Sequence, residues 1–117
     1  MKTLFIINDA PYGSEKMYNA LRLAMTLQKE TENPEVTIFL MADGVFGALP
    51  NQITPRGYYN IERMLGAVIN KMGKVKLCGT CMDARGMKDL TLIEGAERST
   101  MVELTNLTAG ADKVLTF

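Results

Sequence analysis

The chain has 117 residues, of which 47% are hydrophobic and 22% are charged, values typical of one globular domain. Thirteen basic residues balance thirteen acidic ones, which argues against a nucleic-acid binder driven by excess positive charge. Histidine is absent, so no Ser-His-Asp triad, Cys-His dyad or His-ligated metal can form within the chain.

Two strand–helix units are predicted in the first part of the chain. Leu4–Ile7 is a continuous apolar run followed by turn residues, typical of a strand covered on both faces. A helix should follow, with Ser14 as its N-cap. Its apolar residues recur at helical spacing: Met17, Ala20, Leu21, Ala24 and Met25. Val36–Met41, rich in β-branched and aromatic residues, is then the second predicted strand.

Residues 44–57 are predicted to form a loop or a short helical turn, because they contain three glycines and two prolines. A segment of this kind in a small domain is often functional or an assembly contact. The clearest helix follows, and Gly73 is predicted to be its C-cap. Its apolar stripe is Ile61, Met64, Leu65, Val68, Ile69 and Met72. We assign Met25, Met64 and Met72 to the core.

The last third of the chain is predicted to alternate in the same way. The segments are a strand at Val75–Leu77, a helical turn at Asp83–Lys88, a short strand or extended segment at Leu90–Ile93, a helix containing Met101, Leu104, Thr108 and Ala111, and a strand at Lys113–Phe117. Strands alternating with helices indicate βαβ units. We therefore predict one α/β domain over residues 1–117, with three α/β/α layers and a mainly parallel sheet of about five strands.

No segment approaches the roughly 18 consecutive apolar residues of a membrane span. The apolar run Leu4–Ile7 is also too short for the core of a signal peptide. We therefore expect a cytoplasmic protein that is not associated with a membrane, in which Cys78 and Cys81 are reduced thiols.

The Cys78-Gly-Thr-Cys81 motif lies where a strand ends and a helix can begin. Active residues of open α/β sheets gather at the carboxyl ends of the strands. A thiol at a helix N-terminus experiences partial positive charge, which favours the nucleophilic thiolate. Nearby Lys76, Arg85 and Lys88 add positive charge, while Asp83 opposes it. The sequence thus predicts that Cys78 reacts at a lower pH than a free thiol.

Three chemistries compete for this motif, and a fourth possibility is that the thiols are buried and inert. A thioredoxin-like dithiol would have Trp before the motif and a proline after it, whereas Leu77 precedes it and all four prolines come earlier. A zinc site would lack two of its four ligands unless subunits shared it. A sulfur-carrying thiol needs a nucleophilic cysteine and a cation, but no histidine.

No cofactor is predicted. The turn Asn8–Glu15 follows a strand and precedes a helix, as phosphate-binding loops do. It lacks both the Gly-Lys-Ser/Thr of a P-loop and the glycines of a dinucleotide fingerprint. We interpret it as a capped turn. Asp43-Gly44 is likewise interpreted as a turn rather than a metal carboxylate.

Four segments together resemble one known family. They are Ala10–Glu15, Phe39–Asp43, Val75–Gly86 and Ala111–Phe117, and they are similar to the DsrE/DsrF-like proteins, in particular the small stand-alone YchN-type branch. The resemblance implies a three-layer α/β fold with a parallel sheet and a homo-oligomer, six-membered in that branch.

The resemblance also implies a sulfur-relay chemistry. In relay subunits of the family, the persulfide-accepting cysteine is followed seven and eight residues later by Arg-Gly. Cys78 has this spacing to Arg85-Gly86 and Cys81 does not, although the residues between differ from the small apolar run of the relay subunits.

These observations lead to one preferred function and two alternatives. The expected function is a sulfur carrier or sulfurtransferase-like protein, with Cys78, Cys81 and Arg85 as candidate catalytic residues and a sulfur-donor or acceptor protein as partner. A non-catalytic oligomer that binds a small ligand is the first alternative. A dithiol redox protein that uses Cys78 and Cys81 is the second.

Overall fold

The computed structural model describes residues 1–117 and contains one sheet flanked by helices. The strands are β1 (Lys2–Ile7), β2 (Glu35–Leu40), β3 (Lys74–Cys78), β4 (Ala96–Ser99) and β5 (Lys113–Thr116). The helices are α1 (Lys16–Glu30), α2 (Ile61–Asn70), α3 (Gly79–Ala84) and α4 (Met101–Gly110), with 3₁₀ segments at Ala42–Ala48 and Pro55–Gly57.

The strand order is β4-β3-β2-β1-β5, and every neighbouring pair is parallel. The prediction of a three-layer α/β/α domain with a parallel sheet is therefore confirmed. Because all strands point the same way, their carboxyl ends share one edge of the sheet, where ligands of such folds bind. Ile7, Leu40 and Cys78 end their strands at this edge.

The two faces of the sheet are covered unequally. Successive side chains of a strand point to opposite faces, and Phe5, Ile38 and Leu77 lie in the main core with residues of α1 and α2. The opposite face carries a smaller core of Leu4, Phe39 and Leu104, the last contributed by α4. Cys78 packs against this smaller core, so the candidate nucleophile belongs to the less covered face.

The fourth strand does not lie where the sequence pattern placed it. Leu90–Ile93 has no regular structure; the Ile93 N–H donates to the Ala48 carbonyl at 2.9 Å. The strand is Ala96–Ser99 instead. This strand lies at an edge of the sheet and is mostly exposed, so its sequence lacks the apolar run that identifies a central strand.

Three local details also differ from the sequence predictions. Helix α1 has Glu15 as its N-cap, while the Ser14 hydroxyl bonds Asp9 and accepts the Lys16 N–H at 3.3 Å. Helix α3 spans Gly79–Ala84 rather than Asp83–Lys88, because it begins directly after β3. Residues 44–57 contain the predicted loop and short helical turns. Ile53 lies in the loop part and is 95% exposed.

The C-cap of α2 is Lys71 rather than Gly73, and Met72 follows it. Met72 adopts a left-handed φ of 69° and is 88% exposed, so its assignment to the core is wrong. Met25 and Met64 pack against the main core as expected. Gly73 is required for space, since an added Cβ would lie 2.5 Å from Cγ1 of Val68.

None of the four helices has the length and apolarity needed to cross a membrane.

Candidate functional site

Cys78 is the last residue of β3 and the N-cap of α3. Its Sγ accepts a hydrogen bond from the Cys81 backbone N–H at 3.3 Å. A polar N-cap side chain satisfies an N–H that has no partner within the helix, and here a sulfur takes that role. Both cysteines are free thiols and half-buried, which leaves Cys78 accessible to a reactant at the carboxyl edge of the sheet.

Burial raises the pKa of the Cys78 thiol, and the neighbouring Cys81 thiol raises it further. The backbone N–H groups of Cys81 and Thr80 lower it, but they do not outweigh burial. The expectation of a lowered pKa is therefore wrong for the single chain. The physical reason is that packing against the smaller core removes water from the sulfur, and this effect is larger than that of the backbone N–H groups at the start of α3.

This pKa direction gives a testable pH dependence. Iodoacetamide reacts with the thiolate, so the alkylation rate of Cys78 should rise with pH and reach its midpoint above that of a free cysteine, whose pKa is about 8.5. Quenched mass spectrometry of the Cys81→Ser protein would measure Cys78 alone, with glutathione as the reference thiol. A midpoint below that of glutathione would contradict the expectation.

Arg85, the third predicted site residue, lies at the other end of α3. Its Nε–H donates to Oδ1 of Asp43 at 2.8 Å, and its terminal nitrogen donates to the Cys81 carbonyl at 3.1 Å. Asp43 is thus the ion-pair partner of Arg85. The structure brings Cys78, Cys81 and Arg85 together around α3, with the Arg85 guanidinium bonded to Cys81 and not to Cys78.

A second arginine near Cys78 was missed by the sequence analysis. Arg98 donates to both carboxylate oxygens of Asp83 at 2.7 and 2.8 Å. Its guanidinium also lies against Gly79, where an added Cβ would be 2.8 Å from Cζ. No sequence signal pointed to Arg98, because the strand Ala96–Ser99, which pairs with β3 and places Arg98 beside Leu77, lacks an apolar run.

Lys76 is not free to act on Cys78. Its Nζ lies 3.1 Å from Glu97 and 3.7 Å from Glu103, and its side chain is 14% exposed. A hydrogen bond from Ser99 lowers the pKa of Glu103, and the charge of Lys76 adds to this effect. The two carboxylates therefore hold Lys76 beside β3 as part of an ion-pair network.

The site contains no arrangement typical of a metal centre or a ligand cavity. No group of three or more His, Cys, Asp or Glu side chains converges on a point. Three surface cavities have volumes of about 350 to 470 Å³, and neither Cys78 nor Cys81 lines any of them. The arrangement consists of two adjacent thiols, with Arg98 against Gly79 and Arg85 bonded to the Cys81 carbonyl.

The chain combines an all-parallel α/β sheet with two free thiols at the carboxyl edge of that sheet. The model of the DsrE/DsrF-like family matches residues 1–117. The chain belongs to this family, which is associated in general with sulfur relay.

The chain is similar to several individual members of the family. Protein YchN of Escherichia coli K12 is 47% identical over 116 residues, covering 99% of this chain and 98% of that protein. An uncharacterised protein of Methanocaldococcus jannaschii is 43% identical over 117 residues, the full length of both chains. The crystal structure of the E. coli YchN protein has a TM-score of 0.94 at 46% identity, covering 100% of this chain and 99% of that one.

Proposed function

We propose that this protein carries sulfane sulfur as a persulfide on Cys78. The observation that carries the proposal is the place of Cys78, whose accessible thiol ends a central strand and accepts the Cys81 N–H. Membership of the DsrE/DsrF-like family and the spacing from Cys78 to Arg85-Gly86 support it.

Loading transfers one sulfur atom without net oxidation. The Cys78 thiolate attacks the outer sulfur of a donor persulfide, R–S–SH, and a new S–S bond forms as the old one breaks. The donor leaves as R–S⁻ and Cys78 becomes Cys78–S–SH. A raised pKa makes the thiolate fraction small but each thiolate more nucleophilic, so loading should accelerate with pH.

Cys81 provides a route for unloading. Its thiolate can attack the inner sulfur of the Cys78 persulfide, which forms a Cys78–Cys81 disulfide and releases HS⁻. The hydrogen bond from the Cys81 N–H to Cys78 Sγ shows that the two residues are adjacent. An external dithiol would then reduce the disulfide. The same adjacency favours a second candidate function, a dithiol redox protein without sulfur cargo.

The mass of the intact protein distinguishes these two functions. The purified protein is incubated with a cysteine desulfurase and cysteine, with and without a reductant. A sulfur carrier should gain the mass of one sulfur atom, and the gain should disappear after reduction. Because the unloading route also leaves a Cys78–Cys81 disulfide, the deciding measurement is made on the Cys81→Ser protein. If that variant gains no sulfur, the proposal is contradicted.

The protein is also proposed to be a homo-oligomer, with six chains as in the family branch that it resembles. Large apolar side chains are exposed: Val102 is 72% and Tyr58 70% exposed. Contact between copies would remove such surface from water. Multi-angle light scattering at micromolar concentration should give about six times the mass of one chain, and a monomer would contradict this prediction.

A further inference from the structure

We propose that Arg98 is the cation that stabilises negative charge on the Cys78 sulfur, and that its ion pair with Asp83 limits this stabilisation. The inference deepens the proposed function, because the stabilised anion is the thiolate before loading and the persulfide afterwards. The spacing from Cys78 to Arg85-Gly86 suggested Arg85 for this electrostatic role, and the structure assigns the role to Arg98 instead.

The position of Arg98 is set by two contacts. Strand β4 pairs with β3 so that Leu77 lies beside Arg98, and Cys78 beside Ser99. The guanidinium then crosses Gly79, the residue that follows Cys78, at a distance that leaves no room for a Cβ. A side chain at position 79 would hold the cation away from Cys78, so the glycine permits the approach.

Arg98 has hydrogen-bond donors that its ion pair with Asp83 does not use. Two of its five N–H groups bond Asp83, and the others have no protein acceptor. The pKa of Arg98 is raised by its bonds to Asp83 first, and the charge of Cys78 also contributes. Arg98 and Asp83 are 45% and 43% exposed, so the guanidinium has space to turn towards a new anion.

The other charged groups around Cys78 already have partners. Lys76 on the same strand is held by two carboxylates, and Arg85 is bonded to Asp43 and to the Cys81 carbonyl. Arg85 and Arg98 each use two of their five N–H groups. Arg98 differs in position, because its guanidinium lies against Gly79, the residue next to Cys78. The elements packed around Cys78 are β3, α3, β4, α4 and the 3₁₀ segment Ala42–Ala48. The titratable and charged groups on them are Lys74, Lys76, Cys81, Asp83, Glu97, Arg98, Glu103 and Asp43, and Arg85 and Lys88 follow α3.

The test measures the alkylation rate of Cys78 against pH in the Cys81→Ser protein, where Cys78 is the one remaining thiol. Arg98→Gln should raise the midpoint by about half a pH unit, which lowers the rate at pH 7 about threefold. Arg98→Lys should restore part of the rate, because the charge remains. Asp83→Asn should lower the midpoint by a similar amount. Arg22→Gln on α1 removes the same charge elsewhere and should have no effect.

A double-mutant cycle separates the two residues. If Asp83 acts by holding Arg98, the midpoint shift caused by Asp83→Asn should fall to less than half in the Arg98→Gln background. An undiminished effect would mean that Asp83 acts directly, and would overturn the proposal. The proposal would also be overturned if Arg98→Gln shifted the alkylation midpoint of Cys78 no more than Arg22→Gln does. The same holds if its shift were smaller than that of Arg85→Gln.

Sulfur loading of the same variants is measured separately by intact mass. Alkylation requires no sulfur donor, so a wild-type protein that never takes up sulfur would refute the proposed function and still leave the role of Arg98 tested. A protein that loads sulfur but shows no shift with Arg98→Gln would refute the present inference alone.

Discussion

Cys78→Ser should abolish sulfur loading, whereas Cys81→Ser should keep it and lengthen the lifetime of the persulfide. The hydroxyl of serine cannot form a persulfide, and without Cys81 no neighbouring thiol attacks the inner sulfur of a loaded Cys78. The measurement is the fraction of intact protein that gains one sulfur atom after incubation with a cysteine desulfurase and cysteine, followed over time after the donor is removed.

Serine is the matched replacement at position 78 because that residue is also the N-cap of α3. A serine oxygen accepts the Cys81 N–H as well as sulfur does, so α3 should begin at the same residue. Cys78→Ala, which lacks the acceptor, reports the effect of losing the cap. Sulfur uptake by Cys78→Ser, or loss of uptake in Cys81→Ser, would show that the two cysteines have been assigned in the wrong order.

Gly44→Ala should destabilise the protein by about 1–3 kcal/mol, the usual cost of inserting a methyl group into a packed region. A Cβ at Gly44 would overlap the carbonyl oxygen of Ile7. That oxygen cannot move away easily, because it accepts the Met41 N–H at 2.9 Å at the end of the β1–β2 pair. The urea midpoint of unfolding measures the change.

Gly66→Ala is the control with the opposite expected sign. Gly66 lies inside α2, and no atom approaches within 4 Å of an added Cβ. Alanine there should stabilise the helix by about 0.5–1 kcal/mol. If the two variants shift the urea midpoint in the same direction, the close approach of Gly44 to β1 does not govern its packing.

Gly44 also connects the fold to the site. It follows Asp43, which holds the Arg85 side chain, and its close fit against β1 positions the 3₁₀ segment over the carboxyl edge of the sheet. Gly79 has the same role on the other side, where it makes room for Arg98. Both glycines are therefore required by neighbouring atoms, which a turn signal in the sequence does not reveal.

Much of the candidate site could be predicted because it follows from local sequence. Val75–Leu77 is a buried strand, so Cys78 had to lie at a strand end, and a parallel sheet gathers such ends at one edge. The spacing from Cys78 to Arg85-Gly86 needs no tertiary information either. Arg98 could not be predicted, because it lies twenty residues after Cys78 in an exposed edge strand without an apolar pattern.

The pKa of Cys78 also depends partly on local sequence and partly on the tertiary structure. The sequence placed Cys78 at a strand end where a helix can begin and offer backbone N–H groups, a local effect that lowers its pKa, although the helical turn itself was predicted later in the chain, at Asp83–Lys88. Only the tertiary structure decided that Phe39 and Leu104 would pack nearby and that burial would prevail. Local periodicity thus determined four of the five strands and most of the apolar faces of α1 and α2. Side-chain pairing and burial depended on residues far apart in the chain, because solvent exclusion and ion pairs are set by three-dimensional proximity.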